Sequence, residues 1–213
     1  SGDMRVYDEV VTVLENQKIN SEYYKISFHS KSLAREIKPG QFLEIKIRPG
    51  FDPLLRRPFS YYRVAGDRVE ILYEILGRGT GLLAGFKKGA ELQVMGPLGC
   101  EFSRELKKKK RILVGGSVGV PPLVFLAERY GCHRFFIGTK TKGEILPRAE
   151  IKTLQKQVFY STEDGSYGAK GYVTKLLEEF LKKEKGKSKD YFIQTCGPNG
   201  MMRRVMEIAE DYE

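Results

Sequence analysis

The first half of the chain is built from short segments in which apolar and polar positions alternate. The clearest segment lies at 42–47, where the period-two pattern is typical of a half-buried strand. Pro39-Gly40, Pro49-Gly50 and Gly66-Asp67 separate the segments as turns. The pattern predicts six strands, at 5–15, 23–28, 42–47, 59–64, 69–76 and 91–95.

One short helical segment, at 81–86, interrupts these strands. Short strands with turns at regular spacing favour an antiparallel barrel, because closing the sheet pairs the strand edges. We therefore predict that a six-stranded antiparallel Greek-key barrel occupies residues 4–104.

The pattern changes after residue 104, where apolar runs typical of buried parallel strands alternate with amphipathic helical segments. The strands are predicted at 111–114, 134–137, 157–160 and 191–195, and the helices at 120–130, 172–184 and 199–211. This alternation predicts a Rossmann-like parallel α/β domain over residues 105–213.

Composition agrees with two folded domains. The 213 residues are 41% hydrophobic and 30% charged, which excludes a disordered chain. No apolar run approaches the roughly 18 residues that span a bilayer, so we expect a cytoplasmic protein without membrane insertion. Ser1-Gly2-Asp3 ahead of Met4 is interpreted as a cloning remnant.

The formal net charge of +10 suits nucleic acid, a dinucleotide or an acidic partner protein. The densest basic runs lie at 107–111 and 182–189. Both fall at predicted boundaries, where solvated linkers and helix ends are the simplest interpretation.

The cysteines and histidines predict no metal site. Cys100, Cys132 and Cys196 are far apart and form no CxxC pair, so neither a disulfide framework nor a metal site is indicated. His29 and His133 have no partner spacing typical of metal binding or nucleophilic catalysis.

The segment Arg57-Pro58-Phe59-Ser60 is the first candidate site. Proline belongs at the start or edge of a strand, which places Arg57 at the mouth of the strand. A guanidinium there can hold a phosphate at two points, and the Ser60 hydroxyl can reach a ring nitrogen or carbonyl. The spacing suits a flavin dinucleotide, while a surface arginine beside an edge proline is the structural alternative.

A glycine-rich loop at 77–81 is the second candidate site of the barrel. Gly79 permits close backbone approach, and Thr80 lies at the predicted start of the short helix, so the loop can bind an anion. Together with Arg57 it can bracket a pyrophosphate. The alternative is a glycine-rich turn with an N-cap threonine.

In the second half, two loops follow predicted parallel strands. Gly115, Gly116 and Gly119 connect a strand to a helix, and small residues there bring the helix N-terminus to a nucleotide's phosphates. A merely tight turn is the alternative. Cys196-Gly197-Pro198 ends the last strand, where Cys196 either borders a reacting ring or is a small buried apolar residue.

These four motifs, in this order, resemble the ferredoxin-NADP reductase superfamily over the whole chain. Four segments resemble more narrowly the electron-transfer subunits of class 1B dihydroorotate dehydrogenases. They are Arg-Arg-Pro-Phe-Ser, Gly-Pro-Leu-Gly, Gly-Val-Pro-Pro-Leu and Glu-Asp-Gly-Ser-x-Gly-x-Lys-Gly.

The resemblance implies FAD on the barrel and NADH as electron donor on the second domain, with Ser60 and Cys196 as the catalytic residues beside the reacting rings. The implied FAD-binding residues are Arg57, Pro58, Phe59, Ser60, Leu72, Tyr73, Glu74, Gly79 and Thr80. The implied NADH-binding residues are Gly115, Gly116, Gly119, Gly197 and Pro198.

The resemblance also implies a partner, an FMN-containing catalytic subunit that interconverts dihydroorotate and orotate, in a heterotetramer. Family members carry a [2Fe-2S] cluster on a cysteine-rich tail, which needs four thiolates. The three scattered cysteines of this sequence do not supply them. Two alternatives stay open: a flavin reductase for a ferredoxin, hydrogenase or sulfur-reducing partner, and a basic barrel that binds nucleic acid.

The preference between NADH and NADPH depends on charges after the second and third parallel strands. Glu163 and Asp164 disfavour a ribose 2′-phosphate, whereas Lys140 and Lys142 favour it. The carboxylates predict NADH.

Overall fold

The structure is a computed structural model that describes residues 5–47, 55–104, 106, 108–184 and 186–212. The chain divides into two compact units, Ser1–Phe102 and Ser103–Glu213. The interpretation of residues 1–4 and the predicted turn at Pro49-Gly50 lie outside the described residues.

The described part of the first unit is an antiparallel sheet with two short helices. Its strands are β1 (Tyr7–Lys18), β2 (Tyr23–His29), β3 (Phe42–Lys46), β4 (Arg57–Ser60), β5 (Arg63–Ala65), β6 (Arg68–Glu74) and β7 (Glu91–Leu98). The helices are α1 (Lys31–Glu36) and α2 (Arg78–Ala84). The strand order is β4-β3-β7-β1-β2-β6-β5.

The two ends of this sheet are consecutive pieces of chain, joined by Tyr61 and Tyr62. The Tyr61 amide donates to the carbonyl of Gln41, beside β3, while the Tyr62 amide donates to Glu70 of β6. The predicted strand at 59–64 is therefore one segment that changes its partner midway, and this change closes the sheet into the predicted barrel.

Alternating apolar side chains fill the barrel, as period-two patterning requires. Side chains that are essentially inaccessible to solvent come from four strands, namely Ile26, Phe28, Leu43, Ile45, Val69, Ile71, Leu92 and Val94. Helix α1 was not predicted. It begins after Ser30, whose hydroxyl accepts a hydrogen bond from the Leu33 amide at 3.0 Å, a local cap that supports even a helix of six residues.

The described part of the second unit is a parallel sheet with three longer helices. Its strands are β8 (Lys110–Gly116), β9 (Arg134–Thr139), β10 (Val158–Thr162), β11 (Ala169–Lys170) and β12 (Tyr191–Cys196). The helices are α3 (Val120–Tyr130), α4 (Val173–Lys183) and α5 (Asn199–Asp211). The predicted fold class, a barrel followed by a parallel α/β unit, is confirmed.

The strand order of this sheet is β11-β10-β9-β8-β12. From β8 the chain moves outward through β9 and β10 to β11, then returns to place β12 on the other side of β8. The order thus reverses between β8 and β12. In open α/β sheets, ligands bind at the carboxyl ends of the strands where the order reverses.

Arg111 fixes the start of β8. The buried guanidinium donates to the side chain of Gln194 at 2.8 Å, to the carbonyls of Tyr130 and Gly131 at the end of α3, and to the carbonyls of Ser103 and Arg104. Its hydrogen bonds therefore hold α3 and the beginning of the unit against the sheet.

Across the described ranges, no helix combines the length and apolar character needed to cross a membrane.

Candidate functional site

In the barrel, Arg57 lies against the first turn of α2. A Cβ placed on Gly79 would stand 3.1 Å from Arg57 Nε and 3.4 Å from its Cγ, so a larger residue at 79 would displace the arginine side chain by a few tenths of an ångström. Arg57 Nη1 donates to the Leu55 carbonyl at 2.8 Å, which orients the guanidinium. Within the described residues, its Nη2 group makes no hydrogen bond, so it can donate to a phosphate.

The structure corrects two details of this prediction. Arg57 is the first residue of β4 and does not precede the strand, since its neighbour Pro58 pairs with Glu44 of β3. Pro58 is tolerated there because β4 is the end strand in the sheet order. Helix α2 begins at Arg78 rather than at residue 81, so the glycine-rich loop forms the first turn of the helix.

The Thr80 hydroxyl explains the earlier helix start. It accepts hydrogen bonds from the amides of Leu76 at 2.9 Å and Gly77 at 3.2 Å, and it donates to the Gly77 carbonyl. Thr80 is in the first turn of the helix, while the N-cap is Gly77, so the N-cap threonine alternative is wrong. The engaged hydroxyl holds the loop, and a ligand would meet the backbone of this turn.

Aromatic packing and one amide hold α2 against the barrel. The rings of Phe59 and Tyr73 meet edge to face with centroids 5.8 Å apart. The Tyr73 hydroxyl donates to Asn16 Oδ1 at 3.0 Å, and Asn16 Nδ2 donates to the carbonyls of Leu83 at 2.8 Å and Phe86 at 3.1 Å. Burial raises the pKa of Tyr73, so its hydroxyl keeps its proton for this contact.

The structure does not bring all the predicted FAD residues to one face. Strand alternation puts Arg57 and Phe59 on one side of β4 and Pro58 and Ser60 on the other. Tyr73 packs on Phe59, whereas its neighbours on β6 point to the opposite side. The contacts among the predicted residues are therefore two pairs, Arg57 with Gly79 and Phe59 with Tyr73.

In the second unit, the two predicted loops pack directly on each other. A Cβ on Gly119 would stand 2.0 Å from the Cys196 carbonyl oxygen and 2.4 Å from the Gly197 amide nitrogen. A Cβ on Gly197, whose φ is +149°, would stand 2.7 Å from the Gly116 oxygen. Glycine is required at both positions because backbone meets backbone where the strand order reverses.

Two helices begin at this point. Helix α3 follows Gly119 and α5 follows Pro198, and neither has a side-chain cap at its N-terminus. The dipoles of both helices favour negative charge, but only α5 also offers free first-turn amides. In α3, Pro121 and Pro122 lack an N–H group and the Val120 amide donates to the Ser117 carbonyl. Gly115 contributes differently: a Cβ there would stand 3.0 Å from Leu123 of α3, so its role is close packing of helix on strand.

Cys196 ends β12 beside this loop pair and is partly buried. Burial raises the pKa of the Cys196 thiol above its ordinary value, so the group is neutral at neutral pH. A neutral thiol suits a residue that borders an uncharged ring, and it is a poor nucleophile.

The loops after β9 and β10 carry the charges from which the sequence predicts NADH rather than NADPH. Asp164 accepts hydrogen bonds from the Ser166 amide at 2.9 Å and hydroxyl at 2.6 Å, and these bonds lower the pKa of Asp164. Its neighbour Glu163 is exposed. The Lys140 amide donates to Glu144 at 2.7 Å. Both carboxylates are exposed, but Asp164 is engaged in its own turn, so Glu163 is the one that can meet a ligand.

Sequence reasoning missed two tyrosines at this end of the sheet. Tyr172, just before α4, is 69% exposed, and Tyr167, in the turn after β10, is 45% exposed. Both lie in or beside the Glu-Asp-Gly-Ser-x-Gly-x-Lys-Gly motif, and an aromatic residue in a glycine-rich turn was the available signal. Exposed aromatic rings at a nucleotide-type edge are candidates for stacking on a base.

Comparison with known proteins finds relatives that share one name. No family model matches the chain. The electron transfer subunit of dihydroorotate dehydrogenase B (NAD(+)) from Fusobacterium nucleatum subsp. nucleatum is 34% identical over 212 residues, which cover 95% of this chain and 81% of that protein. The subunit of the same name from Bacillus velezensis is 35% identical over 205 residues, covering 92% and 77%.

Among solved structures, an NADH-dependent reduced ferredoxin-NADP oxidoreductase studied for flavin-based electron bifurcation has a TM-score of 0.79 to this chain. It is 25% identical, and the match covers 95% of this chain and 72% of that one.

Proposed function

Because the chain belongs to the family of dihydroorotate dehydrogenase B (NAD(+)) electron transfer subunits, we propose that it holds FAD on its barrel unit and takes a hydride from NADH. It passes the electrons to a separate dihydroorotate dehydrogenase catalytic subunit. The observation that carries this proposal is the position of the Arg57 guanidinium against Gly79, in the glycine-rich first turn of α2.

Arg57 and the first turn of α2 fit the pyrophosphate of FAD. The fork offers charged donors, and Gly79 lets an oxygen approach the backbone closely. Next to them, Ile75 and Leu76 are 47% and 73% exposed, and an apolar surface of this kind suits a flat ring system. The remaining assignments to FAD are Pro58, Phe59, Ser60, Leu72, Tyr73, Glu74 and Thr80.

The second unit binds NADH where β8 and β12 end. The uncapped first turn of α5 and the dipoles of α3 and α5 attract the dinucleotide's phosphates. The remaining assignments to NADH are the residues of the two packed loops, Gly115, Gly116, Gly119, Gly197 and Pro198. The exposed carboxylate of Glu163 accepts a hydrogen bond from a ribose hydroxyl and repels a 2′-phosphate, which favours NADH over NADPH.

Bound FAD would supply the redox chemistry, because flavins accept a hydride and release electrons singly. This chain's residues orient and shield the reactants. We assign Ser60 to a hydrogen bond with the flavin ring. We assign neutral Cys196 to the border of the nicotinamide, where it adds no charge.

The described residues do not fit a [2Fe-2S] cluster. The three cysteines are single, with Cys100 exposed and the other two partly buried. Nowhere in the described ranges do three metal-binding side chains come together. Such a cluster needs four protein ligands, so no step of the proposed reaction depends on one.

The partner follows from the family, because an electron transfer subunit needs a catalytic dihydroorotate dehydrogenase. We propose that this partner contains FMN and that the complex is a heterotetramer. The test is to mix the purified chain with such a catalytic subunit, NADH and orotate. Orotate-dependent oxidation of NADH together with a stable complex is expected, and the absence of both contradicts this partner.

The cofactor is tested separately. We expect the chain, purified or incubated with FAD, to absorb near 450 nm, as oxidised flavins do, and NADH to bleach that band without air. A colourless protein that takes up no added FAD refutes the proposal at its first step. It would favour the nucleic-acid alternative for the basic barrel.

A second acceptor is supported by the likeness to the NADH-dependent ferredoxin-NADP oxidoreductase. In this alternative the same FAD and NADH sites serve a ferredoxin or another redox complex. It predicts NADH-dependent reduction of ferredoxin but no complex with the dihydroorotate dehydrogenase subunit.

A further inference from the structure

The two basic runs noted in the sequence meet at one end of the second unit. Strands β8 and β12 pair in parallel, with Tyr191 opposite Lys110, so their amino ends lie side by side. Lys109 precedes β8, and Lys189 is in the 3-10 turn that leads into β12. Lys109 and Lys189, which are 80 positions apart in sequence, therefore lie together at the amino ends of these two strands.

A cavity of about 530 Å³ opens between them. Leu181, Ile193 and Ala209 give it apolar walls. Its remaining described lining residues are Lys109, Ser188, Lys189, Tyr191, Phe192 and Tyr212. The volume is within the range of roughly 300 to 1,000 Å³ found for small-molecule sites.

Two carboxylates, those of Glu184 and Asp190, act on Tyr191 at this cavity. Neither Lys109 nor Lys189 forms an ion pair with a residue in the described ranges, and both are exposed. The nearby carboxylate of Glu184 is engaged, since it accepts a hydrogen bond from the Tyr191 hydroxyl at 3.0 Å and pairs with Lys187 at 3.4 Å.

The combination of two lysines, one aromatic ring and an apolar wall selects a class of ligand. Lysines attract a phosphate or carboxylate as point charges. The half-buried ring of Tyr212 suits a planar heterocycle, whereas the Tyr191 ring already stacks on His133 and Phe192, the next residue of β12, points to the other face of the sheet. We propose that this cavity binds a small aromatic anion of the size of a nucleoside monophosphate.

The proposed cavity is distinct from the NADH site. It lies at the amino end of β12, and the NADH site lies at the carboxyl end, past Cys196. The two ends of β12, Tyr191 and Cys196, are five residue steps apart, or about 16 Å at about 3.3 Å per step. A ligand in the cavity therefore does not compete with NADH, and it has a role besides electron transfer.

The test is calorimetric titration of the whole chain with uridine 5′-monophosphate. This probe lacks the adenine through which a nucleotide would also enter the NADH site. Uridine and inorganic phosphate supply the ring and the charge separately. We expect the monophosphate to bind at least about tenfold more tightly than either part, because each part loses one kind of contact.

The variant K109Q/K189Q removes the two charges, and K152Q/K156Q removes two exposed lysines elsewhere in the same unit. We expect the first pair to weaken binding about tenfold or more and the second to leave it unchanged. NADH binding stays normal in both, which separates failure of this proposal from failure of the proposed function.

A site-specific signal is available, since the chain has two histidines. His133 stacks on Tyr191 with centroids 5.8 Å apart, whereas His29 is in the barrel and pairs with Asp67. Ligand binding should shift the ring resonances of His133 and not those of His29.

Lack of binding below millimolar concentration, equal binding by K109Q/K189Q, or an unmoved His133 signal overturns the proposal. So does a loss of affinity for the catalytic subunit in K109Q/K189Q without nucleotide binding, because it assigns the surface to the partner.

Discussion

The candidate sites of the two units attract phosphate by different means. In the barrel, the attraction comes from one side-chain charge, that of Arg57 in β4. This side chain packs against α2, a helix of seven residues whose Thr80 hydroxyl is already hydrogen-bonded. In the second unit, the attraction comes from the backbone, because the loops at Gly119 and Gly197 pack on each other at the start of two longer helices. Loss of charge should therefore damage the first site, and added side-chain volume should damage the second.

The largest effect is expected at Gly119. In Gly119→Ala the new Cβ would overlap the Cys196 carbonyl, so one of the two loops must move. We expect NADH affinity to fall by about 100-fold or more, or about 2.8 kcal/mol, while FAD binding is unchanged. Titration of the FAD-loaded protein with NADH measures it. Gly200→Ala is the control, because nothing lies within 4 Å of a Cβ there. Equal affinities in the two variants would show that backbone contact does not shape the site.

The next effect concerns Arg57. Arg57→Ala removes a charge-assisted contact and should weaken FAD binding by about 1.5 to 3 kcal/mol without unfolding the barrel. The affinity of the flavin-free protein for added FAD measures this. Arg56→Ala is the control of equal charge, because Arg56 makes a partly exposed ion pair with Asp8 at 2.8 Å, away from Gly79. A fully flavinated Arg57→Ala protein with unchanged affinity contradicts the assignment.

A smaller effect tests whether α2 depends on its side-chain support. Tyr73→Phe leaves the oxygen of Asn16 without its donor and should lower the stability of the barrel by about 1 to 2 kcal/mol. Thermal unfolding followed by barrel tyrosine fluorescence measures it. Tyr24→Phe is the control, since the hydroxyl of Tyr24 donates to no described residue although its ring packs on Tyr73. Similar shifts in both variants would assign the effect to ring packing.

The smallest effect concerns the choice of nucleotide. Glu163→Gln removes an exposed negative charge after β10, and we expect NADPH to gain about three- to tenfold relative to NADH, because exposed charges are screened. The ratio of the two affinities is the measurement. Glu179→Gln, an exposed change on α4, should leave the ratio as it is. An unchanged ratio in Glu163→Gln would place ribose recognition elsewhere.

Periodicity and local signals predicted most of the second unit. Helices α3 and α5 begin and end at the predicted residues, because prolines lie in the first turn of α3 and directly before α5, and apolar positions recur at helical spacing. Strand β11 was missed, since two residues carry no readable period. The pairing of β8 with β12, which creates the site, depends on strand order that no local pattern encodes.

The barrel shows the same limit. Its strands were readable from alternation, but the change of partner at Tyr61 and Tyr62 is a tertiary event. The start of α2 was misplaced because glycines are poor helix formers, and a threonine hydroxyl four residues from Leu76 compensates. The contact of Arg57 with Gly79 joins residues 22 positions apart, so the sequence named both residues without showing that they touch.

The closure of the barrel at Tyr61 and Tyr62 has a consequence for the order in which the chain becomes rigid. Strand β4, which carries Arg57, is one of the two end strands that Tyr61 and Tyr62 join, the other being β5. A ligand that holds β4 in place therefore also holds the barrel closed. FAD that binds only the closed form stabilises it by mass action, by about 2.7 kcal/mol at 100 times the dissociation constant. Amide hydrogens of Tyr61 and Tyr62 should then exchange with solvent markedly faster in the flavin-free protein, while those of the central strands β1 and β7 change little.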